Sequence, residues 1–311
     1  MKTATCTLLT MLGFVSPATA GVQFYDLFYS TFYNQTSALP PTDYALSNFS
    51  SRVIADPGDF GTANVILPTV EQLPLNEIGP GYFLYQQDFA TQGDSLIAFP
   101  PGAYVFLLAG GSQGEQLGVI NRPPESFWCE EIPAFTESSY TAMQSVDAAS
   151  DFWAEFNTFS APAPANLAAT FVYVYDMDGN FVYGTFFGSF TGTVQIPAGT
   201  LLAGTPYRIS LYFSSRIEKF SENFGGSTAI VGFDRVTTAS LFTLLACTGD
   251  LNKDGFVDDA DFSIFVNAYN TLDCADPIMP AGCPADFNRD GVVDDTDFVL
   301  FVGPYNDLLC P

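Results

Sequence analysis

At residues 250–261 the chain reads DLNKDGFVDDAD, and at residues 286–297 it reads DFNRDGVVDDTD. The two stretches agree at the glycine and at every acidic position, and both are followed by the same apolar pattern. A single match of this kind could arise by chance. Two matches in the same register indicate a duplicated structural unit, and this unit decides the fold of the C-terminal part of the chain.

Oxygen-bearing side chains stand in each stretch at the spacing that a calcium loop requires. A twelve-residue loop binds Ca²⁺ through side chains at positions 1, 3, 5, 9 and 12 and through the backbone carbonyl at position 7. Glycine at position 6 permits the sharp turn between these ligands. The sequence therefore predicts two Ca²⁺ ions. The predicted ligands are Asp250, Asn252, Asp254, Phe256, Asp258 and Asp261 in the first loop, and Asp286, Asn288, Asp290, Val292, Asp294 and Asp297 in the second.

The residues after each loop are predicted to form a helix. Apolar side chains recur three, four and seven residues apart, which places them on one helical face. The two faces have mainly each other to pack against, so the pair is predicted to fold as one small all-α module. Pro304 is expected to end the second helix early, because proline clashes with the preceding turn. The repeated face consists of Phe262, Phe265, Val266 and Tyr269, and of Phe298, Phe301, Val302 and Tyr305.

This duplicated loop-helix unit, over about residues 247–311, resembles the type I dockerin, whose loops also have aspartate at position twelve. The resemblance implies a calcium-binding module that docks onto a cohesin-like domain of a partner protein. The positions that face cohesin in many dockerins differ here. Loop positions ten and eleven are Asp259-Ala260 and Asp295-Thr296, and the basic residue expected later in each helix is Asn267 or Gly303.

Four cysteines follow the same repeat and are predicted to form two disulfides. A zinc site is not favoured, because no pair has the short spacing of a zinc knuckle and the chain has no histidine. Of the three possible pairings, the repeat favours Cys247 with Cys274 and Cys283 with Cys310, so that each unit closes on itself. Such a bridge stabilises by about 3 to 4 kcal/mol in the chain-entropy model, and a module this small needs such help.

The N-terminus has the features of a secretory signal peptide over residues 1–20. Lys2 precedes an apolar run, and residues 18–20 form an Ala-Thr-Ala cleavage site. No stretch is long and apolar enough to predict a membrane span. The mature protein is therefore expected to be secreted, extracellular or at the cell surface, where disulfides persist. Cys129 then has no partner in the repeat and is expected to be buried and unreactive.

The charge of the chain disfavours several classes of partner. The net charge is −25, from nine basic and thirty-four acidic residues. Nucleic acid and anionic membranes are therefore not expected as partners. From residue 247 onward there are thirteen aspartates and two basic residues, a net charge of −11. Without Ca²⁺ these loops should repel one another, so chelation is expected to loosen this module before the rest.

The residue types exclude most catalytic machinery but leave one hydrolytic class open. Without histidine, the chain cannot form a Ser-His-Asp or Cys-His site. A glycoside hydrolase needs only two suitably spaced carboxylates, so a carboxylate-dependent enzyme remains chemically possible. Solvated carboxylates on an acidic exported protein explain these residues more simply, and the protein is expected to be non-catalytic. The candidates are Glu130, Glu131, Glu137, Asp147, Asp151 and Glu155.

Residues 21–246 have a different sequence pattern, in which short apolar runs are separated by Gly, Pro, Asn and Asp. This pattern is typical of β-sandwiches, so the predicted fold is mainly β, with one or two sandwich domains before the all-α module. We predict two domains, at 21–139 and 140–246. Residues 176–180 are predicted to form a hairpin turn rather than a third calcium loop. The representative runs are 64–67, 82–85, 103–109, 171–175, 181–187 and 209–213.

The second half of this β region resembles fibronectin type III and related immunoglobulin-like folds. A Gly-Thr turn at residues 204–205 and Tyr207 stand as in the tyrosine corner that enters a late strand, which implies a structural role for Tyr207. Trp153, on a predicted strand, is expected in the core. Trp128 is the better candidate for a surface residue that stacks on a sugar, because tryptophan offers both a ring and a polar edge.

Two functions follow as expectations. The leading one is an exported, non-catalytic protein, in which a calcium-binding tail anchors or assembles β-sandwich domains at the cell surface or in the extracellular matrix. The alternative is a carbohydrate-binding or polysaccharide-degrading component that the tail recruits to a cohesin-like partner. Both predict calcium binding, so calcium binding does not separate them.

Overall fold

A computed structural model describes residues 21–188, 192–244, 249–252, 254–280, 283–287 and 290–307. The predicted signal peptide lies outside these residues. Strands dominate the first two ranges, and two helices lie in the C-terminal module, so the mainly β fold with a small helical module is confirmed. None of the described helices has the length and hydropathy needed to cross a bilayer.

The strands are longest in the middle of the sheet. They are β1 (Val22–Gln35), β2 (Tyr44–Ala55), β3 (Thr62–Ile66), β4 (Gln72–Gly79), β5 (Tyr82–Phe89), β6 (Gly102–Ala109), β7 (Gln116–Arg122), β8 (Phe152–Glu155), β9 (Leu167–Asp176), β10 (Phe181–Gly188), β11 (Thr193–Ile196), β12 (Pro206–Ser221) and β13 (Ser227–Phe242). The helices are α1 (Gln92–Ala98), α2 (Glu137–Ala142), α3 (Asp259–Thr271) and α4 (Asp295–Asp307), with a 3-10 turn at Asn223–Gly225.

Eleven strands form one sheet in the order β10-β9-β12-β13-β1-β2-β5-β4-β3-β6-β7, and β11 pairs with β8 in a small second sheet. β1 lies in the middle, antiparallel to β2 and parallel to β13. Two parallel strands that are adjacent in a sheet need a long connection between them, and here almost the whole β region connects β1 to β13. The first and last strands of the region are therefore paired with each other.

Among the described residues of this sheet there are two large hydrophobic cores and a smaller apolar cluster around Phe171, Tyr173 and Tyr212. The first packs residues of β1, β2, β5, β6 and β7 with the far end of β13, around Tyr29, Phe49 and Phe106. The second packs β9, β12 and the other end of β13 against the β8–β11 sheet, around Phe213 and Ile209. β13 thus contributes buried residues to both cores, and β12 contributes the partly buried Ile217 to the first. The division of the β region into two domains at residue 139 stays a prediction. The presence of two cores favours it, and the single sheet that the two halves share disfavours it.

Local signals in the second half are explained by the structure. The Leu202 N–H donates to the Tyr207 hydroxyl at 2.8 Å, and the Tyr207 ring is buried, which is the arrangement expected of a tyrosine corner. The turn between β9 and β10 is closed by the Asp176 carboxylate, which accepts from the Asn180 backbone N–H at 2.8 Å. The hairpin predicted at residues 176–180 is therefore present.

The two tryptophans occupy different environments. Trp153 is 58% exposed, because on the short strand β8 its neighbour Ala154 faces the core instead. Trp128 packs edge-to-face on Phe233 at 4.5 Å beside the first core and is only partly exposed. The expectation that Trp153 lies in the core was therefore wrong, and Trp128, the candidate for a surface stacking residue, packs against the first core.

Cys129 is a free, buried thiol, as expected. Burial is the main cause that raises the pKa of Cys129 to about 12, although Arg235 opposes the shift. A thiol with this pKa is almost entirely protonated at neutral pH and is therefore a poor nucleophile.

Candidate calcium-binding module

The first loop folds around its own aspartates. The Asp250 carboxylate accepts from the backbone N–H groups of Asp254 and Gly255, at 3.1 and 2.9 Å. The Asp254 carboxylate in turn accepts from the Phe256 N–H at 3.0 Å. These bonds hold the carboxylates of positions 1 and 5 on the inner side of the turn, and Gly255 has the positive φ of 93° that this turn requires.

Asp261, at position 12, closes the first loop. Its side chain is fully buried, and one carboxylate oxygen accepts from the N–H groups of Leu251 and Asn252, at 2.6 and 2.9 Å. The other oxygen accepts from the Asp258 N–H at 3.0 Å and forms a capping box with Asp258 at the start of α3. One carboxylate thus joins the beginning of the loop to the beginning of the helix.

The second loop repeats this hydrogen-bond pattern. Asp286 accepts from the N–H groups of Asp290 and Gly291, at 3.2 and 3.0 Å. Asp297 is also fully buried, and it accepts from Phe287 at 2.7 Å and from Asp294 at 3.0 Å. Loops with different apolar residues adopt the same geometry, so the acidic positions and the glycine determine it.

The donor set fits a hard cation. One carboxylate oxygen from each of Asp250, Asp254 and Asp261 lies within 4.8 Å of the others. Three negative charges at this distance repel strongly unless a cation lies among them, and ligands that are all oxygen suit Ca²⁺. Cys274, Cys283 and Asp286 also lie together, but the two sulfur atoms are bonded to each other, which disfavours a metal site there.

The predicted ligands are brought together to different degrees. Asp250, Asp254 and Asp261 of the first loop lie together, and the Asn252 side chain donates to Asp254 at 2.8 Å. The Asp258 carboxylate instead accepts from the Ala260 N–H at 2.8 Å, at the start of α3. The carbonyl-donating residues Phe256 and Val292 have exposed side chains, consistent with a backbone role. Asn288 lies outside the described residues. The ligand assignment itself stays a prediction.

Aromatic residues join the two repeats. Phe265 of α3 and Phe301 of α4 are buried and stack at 5.0 Å, and Phe262 packs against Tyr305 at 5.6 Å. The apolar face predicted for each helix therefore packs against its duplicate. The whole core of the described module residues is small, and it consists of Val257, Phe265, Ala268, Met279, Ala285, Val293 and Phe301.

A reciprocal pair of hydrogen bonds also links the repeats, and sequence reasoning missed it. Tyr269 donates to Asp295 and Tyr305 donates to Asp259, both at 2.5 Å. These hydrogen bonds to the carboxylates raise the pKa of both tyrosines. The signal that could have revealed the pair is the repeat itself, since both partners recur at the same offset and the tenth loop position is aspartate twice.

The disulfide connectivity differs from the predicted one. Cys274 is bonded to Cys283, with a Cα–Cα distance of 5.4 Å. The preferred pairings of Cys274 with Cys247 and of Cys283 with Cys310 are therefore wrong, and Cys247 and Cys310 themselves lie outside the described residues. The reason is local, because the chain between Cys274 and Cys283 turns back through a hydrogen bond from the Met279 N–H to the Asp276 carbonyl at 3.0 Å.

Pro304 does not end the second helix early. α4 continues through Pro304 to Asp307. Proline at this position removes one helical hydrogen bond, the one to the carbonyl of Leu300, and only three residues of the helix follow it. The residue after it, Tyr305, is held by its hydrogen bond to Asp259 and by the ring of Phe262, and these contacts favour the helical continuation.

Residues 248–302 match the family described as dockerin type I domain. The resemblance predicted from the calcium loops is therefore confirmed for these residues. Type I dockerins bind calcium, and the first loop of this module has the acidic cluster that such binding needs. The match covers less than a fifth of the chain, so it assigns no family to the β region.

The β region has weak similarity to known structures. No curated protein shows significant similarity to the chain. A biofilm-associated protein BSP domain is 12% identical over 73% of this chain and 29% of its own, with a TM-score of 0.20. A Ca²⁺-stabilised ice-binding adhesin of an Antarctic bacterium is 14% identical over 72% of this chain and 49% of its own, with a TM-score of 0.21.

The FN1–FN3 domains of chicken CNTN1 are 9% identical over 70% of this chain and 65% of their own, with a TM-score of 0.24. The chain spans less than half the length of the biofilm-associated protein and of the ice-binding adhesin. Scores this low carry no argument about the function of this chain.

Proposed function

We propose that this is an exported, non-catalytic protein, in which the C-terminal module binds two Ca²⁺ ions and attaches the β region to a partner that carries a cohesin-like domain. The observation that carries the proposal is the identical hydrogen-bond pattern of the two loops within a segment that matches the dockerin family. The signal-peptide features of residues 1–20 support a location outside the cell or at its surface.

The surface of α4 supports a docking role. Val299 and Leu300 are 71% and 43% exposed, although they are apolar and lie in the middle of the helix. The corresponding residues of α3 are Ser263 and Ile264, so the repeat has a polar side chain where α4 has Val299. An exposed apolar pair beside acidic loops suits a partner surface that is apolar with a basic rim.

The proposal has a direct test in ion counting and partner binding by the full chain. Isothermal titration calorimetry should give two Ca²⁺ ions per chain. Asp261→Ala and Asp297→Ala should each lose one ion, because each removes the buried ligand that closes a loop. Asp276→Ala is the matched control, since Asp276 lies in the same module but in neither loop, and it should leave the count at two.

Partner binding is measured with a panel of type I cohesin domains as probes, with and without chelator. We expect calcium-dependent binding that Val299→Asp weakens. An ion count of two with no binding to any cohesin would leave the calcium module intact and contradict the cohesin-like partner. An unchanged count in Asp261→Ala and Asp297→Ala would contradict the loop assignment itself.

The alternative, a carbohydrate-binding or polysaccharide-degrading component, requires a sugar site in the β region. Two of the acidic residues considered for catalysis stabilise backbone instead. Asp147 accepts from Ala149 at 2.9 Å, and Asp151 accepts from Ala198 at 2.8 Å. These contacts favour structural roles for both.

A further inference from the structure

The face of the large sheet opposite the two cores has a cleft with a free volume of about 90 Å³. β1, β2, β5, β9, β12 and β13 all contribute residues to it. Because side chains alternate along a strand, Tyr25 and Tyr29 of β1 enter the first core, whereas Phe24, Phe28 and Phe32 line the cleft. The cleft is therefore a feature of the central strands and not a gap between loops.

Two acid–base pairs lie at the cleft. The Asp26 carboxylate is fully buried and accepts from the Arg52 guanidinium at 2.8 and 2.9 Å. Ser214 links the second pair, since its hydroxyl donates to Asp234 and accepts from Arg216 Nε at 2.7 Å. Both arginine side chains are only 10% exposed. Donors and acceptors are thus held in fixed positions, with no net charge among the four groups.

Aromatic rings hold the arginines in place. The guanidinium groups of Arg52 and Arg216 both lie 5.0 Å from the centre of the Phe28 ring, and Arg216 also lies 4.6 Å from Phe171. The Phe28 ring lies against Gly232, its neighbour on β13. A Cβ atom at this position would come within 2.1 Å of the ring, so only glycine leaves room for it. A glycine on a central strand costs stability, and here it makes room for this stack.

Stability alone does not explain these charges. Burying an ion pair costs desolvation energy, and a well-packed apolar pair in its place is often neutral or stabilising. Burial is also the main cause that raises the pKa of both Asp26 and Asp234. Perturbed acids among aromatic residues in a concave site are typical of ligand-binding sites.

We propose that this cleft binds a neutral sugar ring of a glycan. Tyr82, Tyr173 and Tyr212 also line it, and such rings stack on the apolar face of a sugar. Guanidinium and carboxylate groups form charge-assisted hydrogen bonds with hydroxyl groups. A guanidinium has five N–H donors. A single carboxylate cannot accept from all of them, so donors remain for a ligand.

Charge and size narrow the ligand class. An anionic ligand would meet Asp234 on a chain of net charge −25, and a cation would meet two guanidinium groups. The free volume of the cleft is about 90 Å³. This space suits one ring or one end of an oligosaccharide. The inference does not depend on the calcium module.

The test is calorimetric titration of the full chain with neutral gluco-, manno-, galacto- and xylo-oligosaccharides, and with uronate oligosaccharides for comparison. At least one neutral sugar should bind, equally well with Ca²⁺ and with chelator. Tyr82→Ala should weaken that binding about tenfold, because it removes a stacking ring. Gln86→Ala, at an exposed position of the cleft, should weaken it about threefold through one hydrogen bond.

Trp153→Ala is the matched control, because Trp153 is an exposed aromatic residue on β8, which is not part of the cleft, and its loss should leave binding unchanged. Tyr82 is only partly buried, so its variant is expected to fold, and circular dichroism verifies this. The proposal is overturned if the folded wild type binds no neutral sugar, if only uronates bind, or if Trp153→Ala abolishes binding that Tyr82→Ala and Gln86→Ala leave intact.

Discussion

The calcium module and the β region reach stability by different means. The described residues of the module share a core of only seven buried apolar side chains, whereas the two cores of the β region contain 22 and 18. A core of this small size rarely holds a domain together without a metal or a disulfide. The module has a disulfide and two acidic loops, and the β region has a continuous sheet.

Their charges differ in the same way. In the β region, Asp26 is paired with Arg52, so its charge is compensated by the protein itself. In the module, Asp250, Asp254 and Asp261 lie together, and their charge would be compensated by the Ca²⁺ ion proposed to bind there. The module should therefore be the part of the molecule whose stability depends on the medium.

Chelation should have the largest effect. Each ion at a hundredfold excess over its dissociation constant stabilises by about 2.7 kcal/mol, so removing two costs about 5 kcal/mol. Differential scanning calorimetry of the full chain should show two transitions, of which chelator lowers or removes only the module's. A single transition that is insensitive to chelator would contradict the difference between the regions.

Removing the disulfide should come next. The double variant Cys274→Ser, Cys283→Ser opens a short loop and should cost the module about 3 kcal/mol, measured by urea unfolding with Ca²⁺ present. Cys129→Ser is the control, because it changes a buried cysteine of the β region and should not move the module transition. Equal effects on both transitions would mean that the two regions unfold as one unit.

A smaller effect is expected at the tyrosine corner. Tyr207→Phe removes the hydroxyl that accepts from the Leu202 N–H and should destabilise the β region by about 1 kcal/mol. Tyr44→Phe, at an exposed tyrosine of β2, is the matched control and should have little effect. The midpoint of the β-region transition, measured by differential scanning calorimetry, reports the effect of both variants. A shift of the module transition by Tyr207→Phe would argue that the regions are coupled.

The smallest effects should come from the tyrosines that link the repeats. Tyr269→Phe and Tyr305→Phe each remove one exposed hydrogen bond and should lower the module transition slightly and equally, since the two bonds are equivalent. Urea unfolding in Ca²⁺ detects the change, and the upper transition should stay in place. Clearly unequal effects would show that the repeats differ in the folded module.

A structural feature could be predicted from the sequence when the contacts that define it join residues close together in the chain. The calcium loops were accessible because all ligands of one site lie within twelve residues, and the helical faces followed from spacing alone. The tyrosine corner was accessible for the same reason, since Tyr207 contacts a residue five positions away. The strand runs around residues 103–109 and 171–175 also coincide with observed strands.

The rest depended on contacts between distant residues. The pairing of β1 with β13 joins residues about 200 positions apart, and no local pattern signals it. Trp153 was misplaced because a four-residue strand does not reveal which of its two faces is buried. The disulfide was mispaired because the repeat suggests self-closure, whereas the turn after α3 brings Cys283 to Cys274.

The cleft was hidden for a related reason. Arg52, Arg216 and Asp234 lie on three different strands, and only the sheet order brings them to one place. Composition gave no sign of them, since nine basic residues in an acidic chain suggest scattered surface charges. Gly232 gave a weak signal, because glycine inside a long apolar strand often marks a close approach by another group.

Hydrogen–deuterium exchange of the full chain, with and without Ca²⁺, tests most directly whether the ions hold the module in its fold while the β region folds without them. We predict that peptides from residues 249–307 lose protection in chelator and that peptides from residues 21–244 keep theirs. Equal protection of residues 249–307 in both conditions would contradict this account.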